Sequence, residues 1–105
     1  MPDVVVVLTT FPLDADGVKT FARALVDEQL AACVNIQPPM TSIYRWEGEI
    51  EEAAEHQLTI KTTAARVASL IARIEELHPY DVPEILALPI ADGGEAYLTW
   101  VRENS

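Results

Sequence analysis

The chain holds a single cysteine, Cys33, and only seven Lys and Arg against seventeen Asp and Glu. One cysteine cannot close an intrachain disulfide, and a thiolate zinc finger needs several. That scarcity points to a reducing compartment, so a cytoplasmic location is expected. A formal net charge of -10 repels a phosphate backbone, which argues against nucleic acid as a partner. Four glycines and seven prolines are too few for a collagen-like or low-complexity chain. Long apolar runs are also missing. None is longer than Val4 to Leu8, which is far short of the roughly 20 residues of a membrane helix, so no membrane partner is expected. The N-terminus carries no basic segment and no apolar run of signal-peptide length. There is no Gly-rich phosphate loop, no G-x-S-x-G elbow and no H-E-x-x-H helix. His56 and His78 are the only imidazoles.

What remains is 105 residues, half of them hydrophobic, which fits one folded domain over residues 1–105 and excludes intrinsic disorder. Val4 to Leu8 is apolar on both alternating faces, the pattern of a central strand covered on both sides. Pro12 is expected to end it. Val18, Phe21, Ala22, Leu25 and Val26 follow at helical spacing, with Asp14 or Asp16 as the N-cap. Residues 32–37 read as a strand, with Ala32, Val34 and Ile36 on one face and Cys33 and Asn35 on the other. Pro38-Pro39 predicts a bend or bulge. Thr41 to Trp46, a tip at Glu47-Gly48-Glu49 and the core Leu58 to Thr62 form a long hairpin, unless residues 49–56 are irregular. Val67, Leu70, Ile71, Ile74 and Leu77 mark a second helix, stopped at His78 by Pro79. A strand over Glu84 to Leu88 and a short helix around Ala96 to Val101 complete the chain.

The order β-α-β-β-α-β-α predicts an α+β fold, the ferredoxin-like split βαβ sandwich with its helices on one face. The hairpin outruns an ordinary strand of about five or six residues. Its outer part, carrying Tyr44 and Trp46, would form an exposed aromatic arm that invites subunit pairing.

The chemistry concentrates in His78-Pro79-Tyr80-Asp81-Val82-Pro83-Glu84-Ile85, where two prolines stiffen a loop bearing an imidazole, a phenol and carboxylates. The plain alternative is that His78 only offsets a helix dipole, worth about 0.3–1 kcal/mol. Cys33 reads as a small core hydrophobe or as a soft-metal ligand. Lys61 reads as an anion-binding group near the second helix or as a salt-bridge partner. His56, on the acidic hairpin strand, is expected to pair with a neighbouring Glu.

Four segments occur together: Thr9-Thr10-Phe11-Pro12; Leu30 to Ile36; Tyr44-Arg45-Trp46-Glu47-Gly48 with Ile60-Lys61-Thr62; and His78 to Ile85. With the closing Tyr97-Leu98-Thr99-Trp100, the chain resembles the CutA divalent-cation-tolerance family over essentially its whole length. The resemblance implies a ferredoxin-like subunit in a tight homotrimer, similar in architecture to the PII-type nitrogen regulators. It implies binding of copper or another divalent cation, not needed for folding, through the strand-one region and His78; Cys33 or Glu84 is a further candidate metal residue of this chain. Thr9 stands where some members carry Cys, and Leu77 where some carry a second His. A PII-like sensor, in which Lys61, His78 and Tyr80 line a cleft for a small anion, is the alternative. His78 and Glu84 could form an acid–base pair, but without a nucleophile or cofactor motif no enzyme is expected.

Overall fold

The structure, a computed structural model, describes residues 3–105. In chain order the elements are β1 (Val4–Pro12), α1 (Ala15–Asp27), β2 (Cys33–Ile36), β3 (Met40–Trp46) and β4 (Glu49–Thr63). A 3-10 turn (Ala64–Arg66), α2 (Val67–Leu77), β5 (Ile85–Pro89) and α3 (Glu95–Asn104) follow. The sheet runs β2-β4-β1-β5, with β3 extending along β4, and every ladder is antiparallel. The crossovers β1-α1-β2 and β4-α2-β5 each step over one strand, which makes this the ferredoxin-like split βαβ arrangement.

The period-2 pattern of β1 and β4 decides what each face does. Val5, Val7, Phe11, Leu58 and Ile60 pack with Val18, Phe21 and Leu25 of α1 and Leu70 and Ile74 of α2. The opposite phase of β1 begins with Val4, which packs with Ala32 and with Leu98 and Val101 of α3. Two expectations are corrected here. The helices do not share one face: α1 and α2 cover one and α3 an end of the other, because β1 is apolar in both phases. Ala32 belongs to the α3 cluster rather than sharing a face with Val34 and Ile36, since it precedes the first ladder residue, Cys33.

Local signals set the boundaries. Asp14 caps α1 by accepting a hydrogen bond from the Gly17 N–H at 2.9 Å, and a Cβ at Gly17 would lie 2.1 Å from the Asp14 carboxylate. Helix α2 stops at His78, whose backbone is extended, as the following proline requires. Strand β1 instead runs on to Pro12, opposite Glu55. Beyond Thr9 it has no β5 partner, so the missing proline N–H leaves no ladder bond unmade at this half-open end.

Strand β4 is continuous for 15 residues, so residues 49–56 are not irregular. Ile36 pairs with Leu58, but Met40 pairs with Glu55. Three residues, 37–39, therefore oppose two, 56–57, which is a one-residue bulge at Pro38-Pro39. At the tip, Glu47 and Gly48 both have positive φ, 50° and 83°, the signature of a type I′ turn.

Candidate ligand cleft at the His-Pro-Tyr loop

The loop after α2 is held by its own histidine. The Nε2–H of His78 donates to the Thr10 carbonyl at 2.6 Å, and its Nδ1 accepts the Tyr80 N–H at 3.1 Å. The two bonds fix the tautomer: Nδ1 is the acceptor, so Nε2 carries the proton. The ring is 7% exposed and packs edge-on against Phe11 and Phe21, with centroids at 5.5 and 5.9 Å, and against Tyr80 at 4.8 Å. His78 is thus a bracket between β1 and the loop, a larger role than the offset of a helix dipole. Direct metal ligation by its ring would require one of these two bonds to be given up.

The bracket aims Tyr80 across β4. Its hydroxyl donates to Oε2 of Glu55 at 3.0 Å. Desolvation first, and then the bond to and charge of Glu55, push the Tyr80 phenol up to about 12. Glu55 is only 6% exposed. It points away from the helices because it lies in the opposite β4 phase from Leu58 and Ile60. Tyr44, Trp46 and Ser42 share its side of the arm, since they pair with Glu51, Glu49 and Ala53. These residues, with Thr10, Ile43, Asp81, Val82 and Glu84, line a cleft of about 540 Å³.

The sequence-derived residues separate into two places. Tyr80 and Glu84 line the cleft, and His78 is buried behind the loop that carries them. Cys33 and Lys61 are direct cross-strand partners on β2 and β4. Lys61 lies six residues along β4 from Glu55, about 20 Å away, so one subunit does not place it beside Tyr80. Its ammonium donates to Oδ1 of Asn35 rather than to a carboxylate. Cys33 is half-buried and joins neither core cluster, which corrects the core reading. Its Sγ lies 4.0 Å from Asn35 Oδ1, and it neighbours Tyr97, whose phenol is raised by burial first and then by the thiol. Among the described residues, no three His, Cys, Asp or Glu side chains converge on one point as a metal-holding group.

His56 does not pair with a glutamate. It is 8% exposed, sits across from Phe11 on the helix-covered face and donates from Nδ1 to the Gln37 carbonyl at 2.8 Å. Its buried Nε2 has no hydrogen-bond partner among the described residues. The burial of Glu55 was missed at sequence level, whereas Tyr44 and Trp46, at 44% and 49% exposure, form the exposed aromatic arm that was expected. The signal was the phase of β4, which puts even positions from 56 to 62 inward and Glu55 on the other side.

The sequence of residues 5–104 matches the model of the family described as CutA1 divalent ion tolerance protein. The chain belongs to this family. It is 55% identical over 100 residues to the divalent-cation tolerance protein CutA of Thermus thermophilus, a match covering 95% of this chain and 96% of that one. The solved Thermus structure superposes with a TM-score of 0.93 at 54% identity, covering 97% of this chain and 98% of that one. The structure described as the periplasmic divalent cation tolerance protein CutA of Archaeoglobus fulgidus gives 0.91 at 34% identity, with coverage of 96% and 97%. Human protein CutA is 48% identical over 85 residues, which are 81% of this chain but 48% of the human protein. The chain therefore spans about half the length of such longer relatives and nearly all of the bacterial one.

Proposed function

We propose that the chain works as a cytoplasmic, non-enzymatic homotrimer that binds a divalent cation, copper included, at the cleft beneath the His-Pro-Tyr loop. The observation that carries this reading is the cleft lining, where Glu55, Asp81 and Glu84 contribute carboxylates and no Lys, Arg or His appears. Carboxylate oxygens suit divalent cations. Glu84, exposed on a proline-braced loop, is the first ligand on this reading, and His78 positions the loop. Because no three such groups converge among the described residues, water or a second subunit completes the ligand set. Cys33 then contributes only across a subunit boundary.

The trimer reading has its own support. Leu86 and Leu88 are 54% and 43% exposed on the sheet face that α3 leaves open, and Ile43 and Ile50 of the arm are 67% and 69% exposed. Leu86 and Leu88 form one exposed apolar patch of the kind that marks a subunit contact, while Ile43 and Ile50, in the opposite phase of the β3–β4 ladder, form a second on the arm. Calorimetric titration of the full chain with copper, zinc and magnesium tests the site. The expected result is saturable binding that weakens at least about tenfold in Glu84→Gln. No saturable binding, or equal affinity in the variant, overturns it. Sedimentation of wild type and Leu88→Asp tests assembly, and a monomeric wild type at micromolar concentration refutes the trimer.

A second reading, a small-molecule sensor, is favoured by one feature that a metal does not use: Tyr44, Trp46 and Tyr80 all line the same cleft.

A further inference from the structure

The three rings and the carboxylate at the floor of this cleft specify a ligand chemistry. Aromatic faces carry the negative end of a quadrupole and attract cations of low hydration. Glu55 lies beneath them at 6% exposure. Its one hydrogen-bond partner among the described residues is the Tyr80 hydroxyl, through Oε2. None of the ion pairs among the described residues involves it. A carboxylate is seldom buried so completely without a cation beside it. The surroundings supply none: the ten lining residues include three aromatics and three acids and no basic group.

We propose that the cleft binds an organic cation, an alkylated or quaternary ammonium. Its apolar substituents lie against Tyr44, Trp46 and Tyr80, and its charge faces Glu55. This inference rests on the small-molecule reading of the cleft. A metal ion would use the carboxylates alone and leave the three rings without a role, because ring faces cannot replace its inner-sphere water. An alkylammonium sheds a weaker hydration shell and uses both features at once. A volume of about 540 Å³ is that of an ordinary small-molecule site, roughly 300–1,000 Å³. Ile43 and Val82 give the cleft an apolar rim. An anion is excluded by the same lining, since Lys61 lies about 20 Å along the strand.

The test is titration of the full chain with phenyltrimethylammonium, with benzyl alcohol as the uncharged aromatic control and adenosine diphosphate as the anionic one. The ammonium is expected to saturate one site per subunit and to bind at least about tenfold more tightly than benzyl alcohol. Glu55→Gln and Trp46→Ala should each weaken it at least about tenfold, while Trp46→Phe, which keeps a ring, stays within about threefold. Sedimentation of each variant should match wild type. Absence of ammonium binding, or equal affinity in Glu55→Gln, overturns the inference. If the nucleotide binds instead and is lost in Trp46→Ala, the small-molecule reading stands and its cationic assignment falls. If neither ligand binds, both fall. If Glu55→Gln dissociates the oligomer, the cation facing Glu55 belongs to a neighbouring subunit, which also overturns a free ligand.

Discussion

Replacing His78 by alanine should unfold far more than a loop tip. The ring makes two hydrogen bonds, to the Thr10 carbonyl at 2.6 Å and from the Tyr80 N–H at 3.1 Å. Each contributes about 1 kcal/mol net, and more is lost when the partner is left buried and unsatisfied. Three ring contacts, to Phe11, Phe21 and Tyr80, add about 0.5–1.5 kcal/mol each beyond area burial. The loss expected for His78→Ala is therefore roughly 3.5–6.5 kcal/mol, from within the range of other large-to-small core changes to somewhat above it. A helix-end charge effect alone would give about 0.3–1 kcal/mol, so the two accounts differ several-fold. His78→Phe separates the components, because it keeps the ring and removes both bonds. It should lose roughly 2–3 kcal/mol. Denaturant unfolding at one fixed protein concentration measures all three proteins, since any assembly makes stability concentration-dependent. A His78→Ala loss below about 1 kcal/mol refutes the bracket and returns His78 to the role of a dipole partner.

Tyr80 carries a pH signature. Its phenol is raised to about 12 in the folded chain against about 10 unfolded. The neutral form is the one held, so its contribution is complete below about pH 10 and is lost as pH rises through the folded value; ultraviolet titration of tyrosinate should show this late phenol, and only a partial return toward the ordinary value in Glu55→Gln, because burial, the larger cause, remains. Asp14→Ala removes the N-cap of α1 and should lose about 1 kcal/mol in thermal or denaturant unfolding, with Asp14→Asn largely retaining stability. Cys33→Ser should lose less than about 1 kcal/mol, because a half-buried hydroxyl can bond to Asn35; a loss of 2 kcal/mol or more, on the order expected for a sealed core site, contradicts the placement of the thiol outside the core.

Much of the scaffold was legible because it rests on local physics. The helical stripe from Val18 to Leu25, the Asp14 cap, the stop at His78 and the Glu47-Gly48 tip are decided by residues within a turn of one another, whereas Val26, expected in the stripe, is 40% exposed. The His-Pro-Tyr loop was legible as a place because two prolines and four polar side chains cannot be hidden in a regular element. Its internal wiring was not. The bond from His78 to Thr10 spans 68 positions, and the bond from Tyr80 to Glu55 spans 25. Such pairs exist only once the sheet order is known. Glu55 looked like one more charge in the run from Glu47, and only the phase inherited from Leu58 and Ile60 sets it apart. Cys33 was assigned to the face opposite Val34 from alternation alone, but how much of that face is covered depends on the short reach of α3.

The long strand β4 lives in two environments, and that gives it a use beyond architecture. From Leu58 to Lys61 it is flanked by β1 and β2 together, whereas from Glu49 to Ala54 it has β3 alone. Its 15 residues amount to about 50 Å of extended chain, beside a longest molecular dimension of 44 Å, so it is in effect the long axis of the subunit. Amide protons along this one strand should therefore exchange in two classes in an isolated subunit, fast in the arm and slow in the sheet, with the step falling near the bulge. Any contact that clamps the arm, whether another copy or a molecule seated over Glu55, would flatten the step without altering the slow half. A single strand thus carries both the reporter of assembly and its internal reference.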